Sequence, residues 1–246
     1  MLIQACPNGP RRPGAHPALP LTPDAVARDV ALVVAAGAGE VHLHPKDDAG
    51  ADSLSALDVA AAVTAARGAA PGVPVGVTTG AWALPDPGER VEAVRGWTVL
   101  PDHASVNWHE DGADDVAAAL LDRGVRVEAG LWHLAGVAAW SASPHRDRCL
   151  RVLLELPDGL DAAAAQAEAE RLLAAVGAGP PVLLHGEDGS CWPALRLAAR
   201  LGLDTRIGLE DVLDLPDGSP APDNAALVRA ATAVVAAVRA SDGAGG

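Results

Sequence analysis

Short β-branched or aliphatic runs alternate with longer alanine-rich stretches of helical period, and the alternation recurs about every thirty residues along the chain. Eight such units can be counted, with strands expected at residues 2–6, 40–44, 73–78, 103–107, 125–131, 149–156, 181–185 and 205–209. Helix boundaries are written into the same pattern. Thr22-Pro23-Asp24 offers an N-cap, a proline in the first turn and an early acid, while Gly37, Gly68, Gly124, Gly177 and Gly202 stand where helices should stop. Eight strand–helix units of near-uniform length point to an α/β fold, a closed parallel (β/α)8 TIM barrel. Laid flat, the same pattern would make a doubly wound open sheet. Against that alternative, the first expected strand runs into Pro7-Asn8-Gly9-Pro10 and not into a G-x-G-x-x-G turn opening a helix. We therefore expect a single barrel domain over residues 1–240 and a flexible tail over 241–246.

Composition narrows the function. A chain of 246 residues with 50% hydrophobic content can bury one large core. Its formal charge of -14, from 32 acidic against 18 basic residues, disfavours nucleic acid and anionic membranes, which need clustered Lys and Arg. Cys6, Cys149 and Cys191 are odd in number and far apart, so a disulfide framework is not expected. No signal peptide or membrane span is read, and a cytoplasmic location is expected. Phe and Tyr are absent, which leaves Trp to supply every aromatic contact.

Polar residues gather at the strand ends. In Val41-His42-Leu43-His44-Pro45 the alternation of a strand places both histidines on one face about 7 Å apart, a spacing suited to two ligands of one metal. Arg206-Ile207-Gly208-Leu209-Glu210-Asp211 supplies a strand-end acid. Two imidazoles and a carboxylate leave an open position, as in catalytic zinc sites. Glu210 is the better third ligand and Asp211 the better base; the bland alternatives are two solvated histidines and an Arg206–Asp211 salt bridge of structural role. Thr78-Thr79-Gly80 suits a carboxylate, or simply caps a turn. Asn107 and Glu128 satisfy each other or touch substrate. His185 is an outside candidate for a fourth ligand, and the only base that could serve a nucleophilic Cys191. His103, His109, His133 and His145 read as solvated.

These residues match a known pattern, and the chain resembles the β-keto acid cleavage enzymes, relatives of 3-keto-5-aminohexanoate cleavage enzyme. The similarity runs nearly end to end: Asn8-Gly9, Leu19-Pro20-Leu21-Thr22-Pro23-Asp24, Ala36-Gly37-Ala38, the H-x-H strand, Asp47 and Gly50, Thr78-Thr79-Gly80, Ala104-Ser105-Val106-Asn107, Glu128, the Arg206-to-Asp211 segment and Asn224-Ala225. The H-x-H and R-x-G-x-E-D motifs are its specific part. It implies a zinc barrel that condenses a β-keto acid with acetyl-CoA, giving acetoacetate and a new acyl-CoA. His42, His44 and Glu210 match the metal ligands, Arg206 and Asp211 the catalytic pair, and Thr78, Thr79 and Gly80 the carboxylate-binding region. A homo-oligomer is also implied.

The chain departs from that pattern in three ways. It is short for such an enzyme, Lys46 stands where an Arg is usual, and the acid expected after Asn8-Gly9 appears as Pro10-Arg11. Arg11 in a substrate-binding position would favour a neutral or anionic side chain, since an ammonium would meet a like charge. Two other functions remain open: a zinc-dependent hydrolase or lyase that uses no CoA, and a metal-binding protein without turnover.

Overall fold

The computed structural model describes residues 1–243. Its strands and helices alternate without exception: β1 (Ile3–Ala5), α1 (Pro23–Ala35), β2 (Glu40–Leu43), α2 (Ala56–Ala69), β3 (Val75–Thr78), α3 (Pro87–Gly96), β4 (His103–Asn107), α4 (Ala113–Asp122), β5 (Arg126–Leu131), α5 (Leu134–Ala142), β6 (Arg151–Leu156), α6 (Ala162–Val176), β7 (Val182–Gly186), α7 (Cys191–Leu201), β8 (Thr205–Ile207) and α8 (Asn224–Gly243). All eight expected strands are present. Helix α8 runs on through Gly243, so residues 241–243 of the expected tail are helical and 244–246 lie outside the described residues.

Strands β1 through β7 pair in parallel in sequence order, and β1 also pairs with β8 through Gln4 and Arg206. Leu184 N–H donates to the Asp204 carbonyl at 2.9 Å and the Thr205 hydroxyl to the Leu184 carbonyl at 2.8 Å, which draws β7 against β8. Eight parallel strands ringed by eight helices make one (β/α)8 barrel domain. The helices begin where the sequence caps them. Thr22 Oγ1 accepts from Ala25 N at 3.2 Å, Ser55 Oγ from Asp58 N at 3.1 Å, and Asp161 from Ala163 N and Ala164 N.

Strand alternation sorts the side chains by face. Val41, Leu43, Val75, Val77, Val152, Leu154 and Leu156 point outward into the apolar layer beneath the helices. Their neighbours point into the barrel, and that interior is unusually polar for a layer generally filled by branched aliphatics. Gln4 donates to Glu128 at 3.0 Å, and Arg151 holds both Glu40 (2.6 Å) and Glu128 (3.2 Å). His103, expected in solvent, belongs to this set: it is fully buried, with Nε2 3.6 Å from Glu128. The reason is its register, since its strand begins with this residue turned inward. These groups form a charged floor below the C-terminal mouth of the barrel.

Candidate metal centre

At that mouth the ends of β2 and β8 bring His42, His44 and Glu210 together, one donor atom of each lying within 4.8 Å of the others. His42 is carried by β2, and His44 follows it on the same face, its ring centroid 5.5 Å away. Asn8 clamps the position of His44 by accepting from its backbone N–H (3.0 Å) and donating to its carbonyl (2.9 Å). The imidazole is then turned by Asp52, which accepts from Nδ1 at 2.8 Å and frees Nε2 to face Glu210 at 3.2 Å. Asp52 also binds Lys46 and accepts from the Trp82 indole at 2.7 Å. Glu210 comes close because residue 9 is glycine: φ is +56°, and a β-carbon there would overlap the Glu210 side chain.

The charges suit a cation. Burial drives His42 down to about 3, keeping it a neutral imidazole. Burial would also lower His44, but Glu210 and Asp52 outweigh it and hold the group up to about 9. Burial would raise Glu210, yet Arg206 and His44 keep it well below the usual carboxylate range. Glu210 Oε2 and His42 Nδ1 are buried without a hydrogen-bond partner among the described residues. Two imidazoles and a carboxylate with a free oxygen fit a divalent metal.

Arg206 reaches the same place from β8. It donates to Glu210 at 2.9 Å and binds Asp211 through two nitrogens, at 2.7 and 3.2 Å. Asp211 also accepts from the Cys6 thiol at 2.9 Å and has no exposed side-chain surface. Burial pushes this acid up against the pull of Arg206. His185 accepts from Arg206 Nε at 3.2 Å through Nδ1, which turns its Nε2 toward Glu155 and away from the three donors. Burial raises the Cys191 thiol well above its ordinary value, which favours the protonated, unreactive form.

A cavity of about 240 Å³ opens over these groups. Thr78 and Asn107 line it, while Thr79, Gly80, Glu128 and Arg11 do not. Thr78 Oγ1 accepts from Gly80 N at 3.1 Å, the turn-capping alternative, and Thr79 donates to the Ser105 carbonyl. Gly80 leaves room for the Trp82 ring, which any side chain would overlap. Asn107 and Glu128 do not satisfy each other, because Asn107 donates to Glu110 while Glu128 joins the floor. Arg11 donates to the Leu209 carbonyl (2.5 Å) and pairs with Asp188 (2.9 Å). Lining groups that were not singled out in the sequence include Trp82, Trp132, Glu155 and Glu187. Glu155 had a signal, being the one acid in Val152-Leu153-Leu154-Glu155-Leu156.

A family model described as beta-keto acid cleavage enzyme matches residues 1–241. No curated protein matches the chain. Among solved structures, the apo structure of ObcA is similar at 21% identity and a TM-score of 0.64, over 93% of this chain and 63% of that one. The present chain thus spans under two thirds of its length. The 3-dehydroquinate dehydratase of Geobacillus kaustophilus HTA426 is similar at 11% identity and a TM-score of 0.63, over 97% and 91%. That of Aquifex aeolicus VF5 gives 10% and 0.56, over 95% and 97%. At such identities these likenesses speak for the barrel alone.

Proposed function

The chain belongs to the beta-keto acid cleavage enzyme family, and from that membership we propose that it is a zinc-dependent enzyme condensing a β-keto acid with acetyl-CoA to give acetoacetate and an acyl-CoA. The observation that carries this reading is the convergence of His42, His44 and Glu210 beside Arg206 on one cavity at the barrel mouth. His42, His44 and Glu210 would hold the ion. When bound, it would supply Lewis acidity to a keto oxygen.

Arg206 is placed to receive negative charge that develops on the substrate, since its guanidinium lines the cavity and its planar fork suits a carboxylate or enolate. Asp211 is assigned the C2 proton. It lies sealed behind Arg206, so the transfer needs Arg206 to turn onto the substrate and open the acid, a movement we assign to substrate binding. The C2–H electron pair then attacks the thioester carbonyl, CoA thiolate leaves and adds to the former ketone carbon, and the carbon–carbon bond breaks. Asp211 returns its proton to the departing acetoacetate carbon. Thr78 and Asn107 offer the polar wall against which the substrate carboxylate rests.

A panel of β-keto acids incubated with and without acetyl-CoA tests this directly. Acetoacetate and a new acyl-CoA should form only when both substrates are present. Product without acetyl-CoA would point to hydrolase or lyase chemistry. His42→Ala and Glu210→Ala should each lose bound metal by elemental analysis, and full occupancy in both would overturn the ligand assignment.

A further inference from the structure

Glu128 keeps one oxygen free beside the three-donor site. Its Oε1 is taken by Gln4 Nε2 at 3.0 Å and by Arg151 Nε at 3.2 Å. Its Oε2 has no hydrogen-bond partner among the described residues, although the side chain is fully buried. Facing it at 3.9 Å is His42 Nδ1, which is likewise buried and likewise without a partner. His103 Nε2 flanks the same oxygen at 3.6 Å, seated there because residue 76 is glycine and a β-carbon would overlap the ring.

A buried polar atom left unpaired is costly, so two such atoms that complement each other need an explanation. Burial keeps His42 neutral, and a neutral imidazole carries its proton on one nitrogen and a lone pair on the other. His42 lines the cavity while its Nδ1 is sealed from it, which leaves Nε2 to face His44 and Glu210. A metal needs the lone pair on that Nε2, and so the proton on Nδ1. Glu128, ionised beside Arg151, can only accept, which favours this tautomer. The 3.9 Å gap is longer than a hydrogen bond, but closing it takes about 1 Å of side-chain rotation. His44 has the same arrangement already completed: Asp52 accepts from Nδ1 at 2.8 Å and Nε2 turns to Glu210.

Resting on the metal reading given above, we propose that Glu128 is a positioning residue, which accepts from His42 Nδ1 and so fixes the imidazole in the tautomer that presents Nε2 to a divalent ion. The charged floor thereby acts on the mouth above it: Gln4 and Arg151 occupy Oε1 and hold Oε2 toward His42. The substrate contact expected of Glu128 gives way to this role, because the side chain does not line the cavity.

Histidine nitrogen NMR on the zinc-loaded protein, with His42 assigned through its backbone, reads the tautomer directly. A ligated Nε2 and a protonated, slowly exchanging Nδ1 are expected, and ligation through Nδ1 overturns the proposal. The second arm is Glu128→Gln, which keeps the volume and the oxygen that Gln4 and Arg151 require. Its amide NH2 group then faces His42 and asks Nδ1 to accept, the tautomer that cannot ligate through Nε2. Zinc affinity against a competing chelator should fall about 10- to 100-fold, in protein whose circular dichroism matches the parent. A merely structural Glu128 would lower Tm and leave the zinc affinity of the folded variant unchanged, and that result refutes the positioning role. If the variant does not fold, the NMR of the unmodified protein decides alone. His42→Ala separates the two claims: zinc lost there but held at full affinity by Glu128→Gln overturns this inference and leaves the metal centre standing, whereas full zinc in His42→Ala overturns both.

Discussion

Two single side chains make sharp demands on the proposed metal centre and its cavity. Asp52 orients His44 from behind while also binding Lys46 and Trp82. Such outer partners set ligand orientation, so Asp52→Asn should weaken zinc affinity by about 10- to 100-fold, as measured against a competing chelator. Unchanged affinity would remove Asp52 from the site. Glu155 contributes to the pH dependence of stability. Its folded value is raised from 4.5 to about 8, so the fold favours the protonated form. That contribution is fully present below the unfolded value and is lost as pH rises to about 8, at about 1.4 kcal/mol per unit. Glu155→Gln should therefore match the parent protein near pH 4 and exceed its stability near pH 9, by a few kcal/mol in denaturant unfolding. Parallel pH curves for the two proteins would contradict this.

Among the elements, the start of α8 ties together three otherwise separate segments. Asn224 accepts from Leu209 N at 2.7 Å and donates to the Pro7 carbonyl and to Asp29, so it fixes the loops that carry Asn8 and Glu210. Asn224→Ala strands buried partners and should cost roughly 2–4 kcal/mol, visible as a fall in Tm of about 5–15 °C and accompanied by loss of bound zinc. A normal Tm with full metal content would show that the loops hold themselves. The strands and their order were legible because each is a compact apolar run between helix caps, and His42, His44 and Glu210 were legible because alternation and strand-end position suffice to place them. Other positions depend on distant partners. Trp82 is set by the space at Gly80 and by Asp52, thirty residues earlier, which no local pattern announces. His103 was misread because polarity in a strand ordinarily means solvent, whereas this barrel is polar inside. Glu155 was hidden between Leu154 and Leu156, which face the helices, on a face it shares with the apolar Leu153.

At the scale of the whole molecule, a net charge of -14 repels a polyanion such as acetyl-CoA and attracts a cation. Raising ionic strength from about 10 mM to 150 mM shortens the screening length from about 30 Å to 8 Å. KM for acetyl-CoA should therefore fall with added salt while KM for a cationic keto acid rises. Movement of both in the same direction would show that local groups, not the global field, govern capture.

The barrel floor offers a route to a sturdier protein. Glu40, Glu128, Arg151 and His103 are sealed from solvent on a layer where related architectures place aliphatic side chains. Buried ion networks of this kind are often no more stable than well-packed hydrocarbon of equal volume, whereas removing one member alone leaves a stranded charge. Because Arg151 pairs with both Glu40 and Glu128, the tractable engineering change replaces all three together, and Glu128, only 3.9 Å from His42, marks where the redesign meets the proposed metal ligands.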